Sequence, residues 1–260
     1  MDKAEYININ QENINAVWRE VWKKENAGKE IFRNRFFLEA YPVLKKYFQE
    51  KANKIGAKIL EVGTGTGRYG LKIAQDFPES KVFLTDILEE SLGLSRKLAE
   101  GLGVNNVEFK KEDARRMSFP DNEFDLVFSD AVIQHLPGDL TAVREMARVL
   151  KPGGRMVLSV VNKRNFHTLY KMLRGRKYEY GYEKSYTRSE LRKILEENGL
   201  RVKAEDGFYV GYGLYRLKKY HRVFSFLGKA VNKISKILDK FTNRFFSRNF
   251  GFEIVIVGEK

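Results

Sequence analysis

The stretch ILEVGTGTGRYG, residues 59–70, decides how this chain is read. Two glycine patterns overlap in it. Gly65, Gly67 and Gly70 spell G-x-G-x-x-G, the spacing of turns that seat a pyrophosphate at a helix N-terminus. Gly63, Gly65 and Gly67 spell G-x-G-x-G, with Glu61 two residues before the first glycine. In either register, a glycine turn between a strand and a helix lets a ligand approach the backbone. Glu61 separates the two. A carboxylate at the carboxyl end of the first strand repels a pyrophosphate and suits a ligand with an ammonium group.

Around this loop the chain alternates between strand-like and helix-like runs. The strand candidates AKILEV (57–62), KVFLTD (81–86), NVEFKK (106–111), FDLVFS (124–129) and RMVLSV (155–160) are rich in Val, Ile, Leu or Phe. Residues 67–77, 88–102 and 139–150 show apolar residues at helical spacing, as with Leu140, Val143, Ala147 and Leu150. Such alternation implies βαβ units and a parallel sheet covered on both faces. RVKAEDGF (201–208) and FEIVIVG (252–258) bring the strand count to seven. Residues 11–52 read as one or two amphipathic helices that cover the sheet or close the site. In SYTRSELRKILEENGL (185–200), Thr187 with Glu190 predicts a capping box, and Gly199 a helix stop. Lys151-Pro152-Gly153-Gly154 reads as a structural turn.

The acids at strand ends narrow the ligand. Asp86 ends the second strand, where a carboxylate can accept from ribose hydroxyls. Asp113-Ala114 follows the third, where an acid can accept from an adenine amino group. FDLVFSDAVIQHL (124–136) and REMARVLKPGGRMVLSV (144–160) complete the series. These motifs, in this order and spacing, resemble the class I S-adenosylmethionine-dependent methyltransferases, within them the type 11-like small-molecule group. The resemblance is detailed over 57–161 and looser to 208. It implies an α/β, Rossmann-like, doubly wound seven-stranded sheet with the last strand antiparallel. N-terminal helices (1–52) would precede a core at 53–208. A basic helical insertion (209–251) would come before the final strand (252–260). It also implies S-adenosylmethionine as methyl donor, with S-adenosylhomocysteine as product. Glu61, Gly63, Thr64, Gly65 and Gly67 would form the loop on the methionine side, Asp86 would bind the ribose and Ile87 would lie beside the adenine. Asp113 and Ala114 would contact the adenine edge, and Ser129 would lie near the sulfonium.

Methyl transfer from such a donor asks mainly for alignment, which can supply about 7–11 kcal/mol. A base adds about 10²–10⁴-fold when the nucleophile must lose a proton. His135, six residues past the fourth strand, is the candidate base, against a structural role in holding a loop; Asp130 is a weaker alternative. Tyr178, Tyr180, Tyr182 and Tyr186 are candidates for the substrate entrance.

Composition bounds the rest. There is no cysteine, hence no disulfide framework and no thiolate chemistry. The three histidines, His135, His167 and His221, show no metal-ligand spacing, so no metal is expected. MDKAEYININQENIN carries no signal-peptide core, and a cytoplasmic protein is expected. The net charge of +14 is concentrated. Segment 163–188 has eight Lys or Arg against two acids, and 209–252 has ten against one. Within the latter, VFSFLGKAVNKISKILDKFTNRFF (223–246) reads as one helical stripe of apolar residues bordered by lysines. It can pack its apolar side on the sheet, meet a membrane surface or an amphiphilic substrate, or track RNA phosphates. The expected acceptor is an anionic or amphiphilic small molecule or a lipid-linked one. The alternatives are an RNA methyltransferase, an NAD(P)-dependent oxidoreductase, and a catalytically silent basic binding protein.

Overall fold

The computed structural model describes residues 10–25 and 28–260. Residues 1–9 and 26–27, part of the expected helical cover, lie outside the described residues. Strands β1 (Lys58–Val62), β2 (Lys81–Asp86), β3 (Val107–Lys111), β4 (Phe124–Asp130), β5 (Leu150–Val161), β6 (Arg201–Phe208) and β7 (Glu253–Glu259) form one sheet, in the order β3-β2-β1-β4-β5-β7-β6. β7 runs antiparallel between β5 and β6, with Leu158 opposite Ile256. The order reverses between β1 and β4. In open α/β sheets this places the ligand crevice at the carboxyl ends of those two strands. The expected sheet, including its antiparallel last strand, is therefore the observed one.

Successive side chains of a strand point to opposite faces, and both faces are buried here. Ile59, Leu84 and Phe128 pack under helices α2 (Arg35–Ala52), α3 (Arg68–Asp76) and α4 (Glu89–Leu102). Leu60, Phe83 and Val127 pack under α5 (Asp139–Val149) and α7 (Arg188–Glu197). Leu140, counted in the apolar spacing of α5, is exposed; the helix buries Ala142, Val143 and Met146 instead. The Thr187–Glu190 capping box starts α7, and Gly199 follows its end with φ +76°.

Two parts outside the sheet bear on the site. Helix α1 (Gln11–Lys24) buries only Ile14 among its described side chains. It crosses to α4, where Arg19 pairs with Glu90 at 3.4 Å. Between β6 and β7 come α8 (Tyr212–Arg216), α9 (Val223–Asp239) and α10 (Phe245–Phe250); α6 (His167–Arg174) packs on α8. The expected single helix over 223–246 is thus two. The chain breaks through Asn243 and Arg244, both at positive φ, because Asp239 accepts from the amides of Phe246 and Ser247 and starts α10. Arg244 Nε donates to the fully buried Asp206 of β6 at 2.6 Å, and Lys46 and Tyr47 of α2 bind the same carboxylate. That junction fixes the insertion to the sheet.

Candidate active site

At the carboxyl ends of β1 and β4 lies a cavity of about 660 Å³. The glycine loop forms its floor. Gly63, Gly65 and Gly67 have φ of +72°, +56° and +77°, in the left-handed region. A Cβ on Gly63 would lie 2.4 Å from Val132 Cγ2, and one on Gly65 would lie 2.9 Å from Trp22 Cη2. Gly63, Thr64 and Gly65 line the cavity, whereas Gly67 caps α3 beneath it.

The choice between the two glycine registers is settled at the start of α3. The buried Glu61 carboxylate accepts from Thr64 Oγ1 at 2.6 Å and from the Gly70 amide at 3.0 Å. A helix N-terminus that would otherwise draw a phosphate is therefore occupied by a protein carboxylate. A Cβ at Gly70 would strike Glu61 Oε2 at 2.4 Å and Leu84 Cγ at 2.9 Å, so Gly70 serves close packing. Burial pushes the Glu61 carboxyl up to about 8, which leaves it ready to ionise against an incoming cation.

The other cofactor-side residues follow the strand ends. Asp86 lines the cavity and accepts from the Gly65 and Leu88 amides at 3.1 and 3.0 Å and from Ser91 Oγ at 2.8 Å. Burial raises its carboxyl despite these donors. Ile87, Asp113 and Ala114 line the same end. Asp113 is clamped by Arg115 at 2.7 and 3.0 Å, a partner that the motif did not announce. Ser129 is corrected: it faces β1 inside the sheet, its hydroxyl donating to the Val62 carbonyl at 3.1 Å, and it does not line the cavity. Its neighbours Asp130 and Ala131 do, Ala131 at φ +55°.

Residues distant in sequence complete the site. Asp130, Arg68 and Glu253 gather on the β4–β7 side, with Arg68 3.6 Å from Asp130 and Ser159 donating to Glu253. Burial raises both carboxyls, Glu253 the further because Asp130 lies beside it. The roof comes from α1. Trp22 lies over Gly65, and Trp18 stacks between Trp22 and Tyr180 at 5.3 and 5.7 Å, with its edge on His135.

His135 is buried and lines the cavity. Its Nδ1 lies 2.7 Å from the Tyr182 carbonyl, so Nδ1 carries the proton and Nε2 the lone pair. Gln134 uses its amide oxygen to accept from Val161 N, which turns its NH2 toward that lone pair at 3.3 Å. Burial lowers the His135 pKa and keeps the ring neutral. Glu183 Oε2 lies 3.9 Å from Nε2. The same carboxylate takes Tyr178 Oη at 2.8 Å, Lys171 Nζ at 2.9 Å and His167 Nε2 at 3.4 Å. Burial would push Glu183 up; the His167 hydrogen bond and the Lys171 charge outweigh it and hold the carboxyl well below its usual range. Two histidines far apart in sequence thus share one acid. Tyr178 and Tyr180 line the cavity as expected; Tyr186 does not, being fully buried with its hydroxyl on Asp139. Among the described residues, no group of three His, Cys, Asp or Glu could hold a metal ion.

Comparison with known proteins accords with this geometry. The family described as "Methyltransferase domain" matches residues 53–199, more than half of the chain. The chain belongs to the class I S-adenosylmethionine-dependent methyltransferases. It is 26% identical over 233 residues to malonyl-[acyl-carrier protein] O-methyltransferase 1 of Ilyobacter polytropus, covering 86% of this chain and 82% of that one. It is 36% identical over 118 residues to the ubiquinone/menaquinone biosynthesis C-methyltransferase of Cronobacter sakazakii, covering 45% of this chain and 47% of that one. The Haemonchus contortus phosphoethanolamine N-methyltransferase 2, solved with S-adenosyl-L-methionine, shares the fold at a TM-score of 0.62 and 18% identity, over 94% of this chain and 60% of that one. S-adenosylmethionine is the methyl donor of this methyltransferase. The residues present suit it: a buried acid at the glycine loop for a cation, a side-chain-free floor, and carboxylates at the ends of β2 and β3. The NAD(P) reading falls with the family match, in keeping with the Glu61 carboxyl occupying the Gly70 amide at the start of α3.

Proposed function

We propose that this methyltransferase acts on an amphiphilic small molecule, with an apolar body and an anionic group. The composition of the cavity beyond the glycine loop carries the reading. Trp18, Phe36, Tyr180, Tyr212 and Phe252 form an aromatic wall, and Arg35 and Lys229, both exposed, stand at its solvent side. Aromatic faces hold an apolar body at low entropic cost, and the two cations favour an anion at the opening.

When bound, S-adenosylmethionine supplies a methyl group on a sulfonium, with a neutral thioether as leaving group. The protein's part is alignment and exclusion of water. The α1 roof over Gly65 shields the loop, and Glu61, Asp86 and Asp113 fix the donor's polar ends. An acceptor that brings a proton to the reaction needs a base, and we assign His135. Its neutral ring carries the Nε2 lone pair, which the Gln134 NH2 yields when an acceptor proton arrives, and an imidazolium formed there would lie 3.9 Å from Glu183.

Incubation with methyl-labelled donor and a fractionated cell extract tests the acceptor class. Label in the organic-soluble acidic fraction is expected; label confined to RNA or to neutral water-soluble metabolites overturns the proposal. His135→Ala is expected to lower turnover by about 10²–10⁴-fold with S-adenosylhomocysteine affinity unchanged. Full activity in that variant removes His135 as base.

A further inference from the structure

Helix α9 is built inside out for a cover helix. At about 100° per residue, its sequence makes three faces. Gly228, Asn232, Ser235 and Asp239 share one, and that small and polar face is the buried one. Gly228 packs so close to α8 that a Cβ on it would lie 2.8 Å from Tyr215 N, and Asn232 donates to Glu39 at 3.1 Å. The opposite face carries Val223, Phe226, Leu227, Ile234, Ile237 and Leu238, all exposed, with Phe226 at 70%, and Phe241 just past the helix end is exposed at 83%. The third face is the row Lys229, Lys233, Lys236 and Lys240, all exposed; Lys236 reaches Glu39. The apolar side was expected to lie on the sheet if α9 were a plain cover, and it does not. Helix α6, which packs on the same α8, adds exposed Leu169, Met172 and Leu173.

We infer that α9 docks this methyltransferase on an anionic lipid bilayer. Charge complementarity selects the occupant. The single acid of 209–252, Asp239, is buried and spent on the α10 amides, so the exposed face of this segment is cationic and apolar with no acid. RNA phosphates would pair with the lysines and leave Phe226, Ile234 and Phe241 in water. A second copy would bring one lysine row toward another. A bilayer surface takes both parts together: apolar side chains at the acyl boundary, lysines among anionic headgroups. Ser225 and Lys229 of α9 also line the cavity, so the docked face borders the cavity opening. The delivery of an amphiphile from the bilayer rests on the acceptor proposed above; the docking itself does not.

Co-sedimentation of the full chain with phosphatidylcholine vesicles, with and without phosphatidylglycerol, tests the docking without an activity assay. Binding to the anionic vesicles that weakens in high salt is expected. Lys233→Gln with Lys240→Gln should weaken it by about 25-fold, about fivefold per lysine. Ile234→Asp with Phe241→Asp should weaken it at least about tenfold, while thermal stability and S-adenosylhomocysteine affinity stay unchanged. The inference is overturned by no vesicle binding. It is equally overturned by RNA binding that outcompetes vesicles, or by a dimer in light scattering that Phe241→Asp dissociates. Vesicle binding with an acceptor outside the organic fraction would sink the acceptor proposal alone.

Discussion

Gly63→Ala is the substitution in which the loop geometry makes its most quantitative demand. Gly63 lies at φ +72°, a region that costs an L-residue about 1–2 kcal/mol. The added Cβ would also meet Val132 Cγ2 at 2.4 Å and Cγ1 at 2.8 Å. A branched side chain pressed on by backbone cannot clear such an overlap by a single rotation, and overpacking of this kind costs about 1–3 kcal/mol. Together the loss is about 2–5 kcal/mol, a large share of the 5–15 kcal/mol typical of a domain. For 260 residues, an unfolding entropy of about 2.1 cal/mol/K per residue converts each kcal/mol to about 2 °C. The Tm should fall by about 4–10 °C in calorimetry. The two contributions separate in the double variant Gly63→Ala with Val132→Ala, which removes the overlap and keeps the backbone cost, so part of the loss should return. A Tm within 1 °C of the parent, or a double variant worse than the sum of the singles, would refute the close approach of loop and Val132.

Glu183→Gln should lower stability by about 3–5 kcal/mol, because it leaves Lys171 beside two buried imidazoles without their shared acid; a thermal melt that moves less than 2 °C would show that Glu183 is not the hub. Without ligand, stability should fall as pH rises from about 7 to 8, above the range in which the lowered pKa values of His135 and His167 act the opposite way. Glu61, pushed up to about 8 by burial, keeps in the native state a proton that the unfolded chain has already released, so the unfolded state binds fewer protons there; burial raises Asp86, Asp130 and Glu253 in the same direction. A melting temperature that climbs across this range would contradict the assigned direction. Glu183, depressed in the native state, acts the other way, and its contribution disappears only as the pH drops below the usual carboxylate range.

The strands were legible because buried parallel strands are short apolar runs ended by acids and glycines, and the antiparallel last strand followed from the family resemblance. The strands, the capping box of α7 and the placement of Glu61, Gly63 and Asp86 at the crevice therefore follow from local pattern. What the sequence hid depends on the fold bringing distant residues together. Glu253 opens the last strand and meets Asp130 only because β7 inserts beside β5. Glu183 sits in a Tyr- and Lys-rich loop with no motif, and unites His135 with His167 only once α6 has folded back. The spacing in α9 revealed an apolar stripe but not which way it points. The signal was present in the other face: Gly228, Asn232, Ser235 and Asp239 recur at helical spacing, and small residues there permit closer packing than the stripe does. Ser129 does not line the cavity because successive strand side chains alternate in face, and it is the next residue, Asp130, that reaches the crevice.

The test nearest to the central claim is calorimetry of S-adenosylhomocysteine binding near pH 7, in buffers of different ionisation enthalpy, for the parent and Glu61→Gln. With the Glu61 carboxyl pushed up to about 8 in the free protein, seating an ammonium beside it should expel most of a proton. The variant, which keeps an acceptor for Thr64 and Gly70, should release clearly fewer protons than the parent and bind at least about tenfold more weakly. Equal affinity and no proton release in either protein would contradict the account.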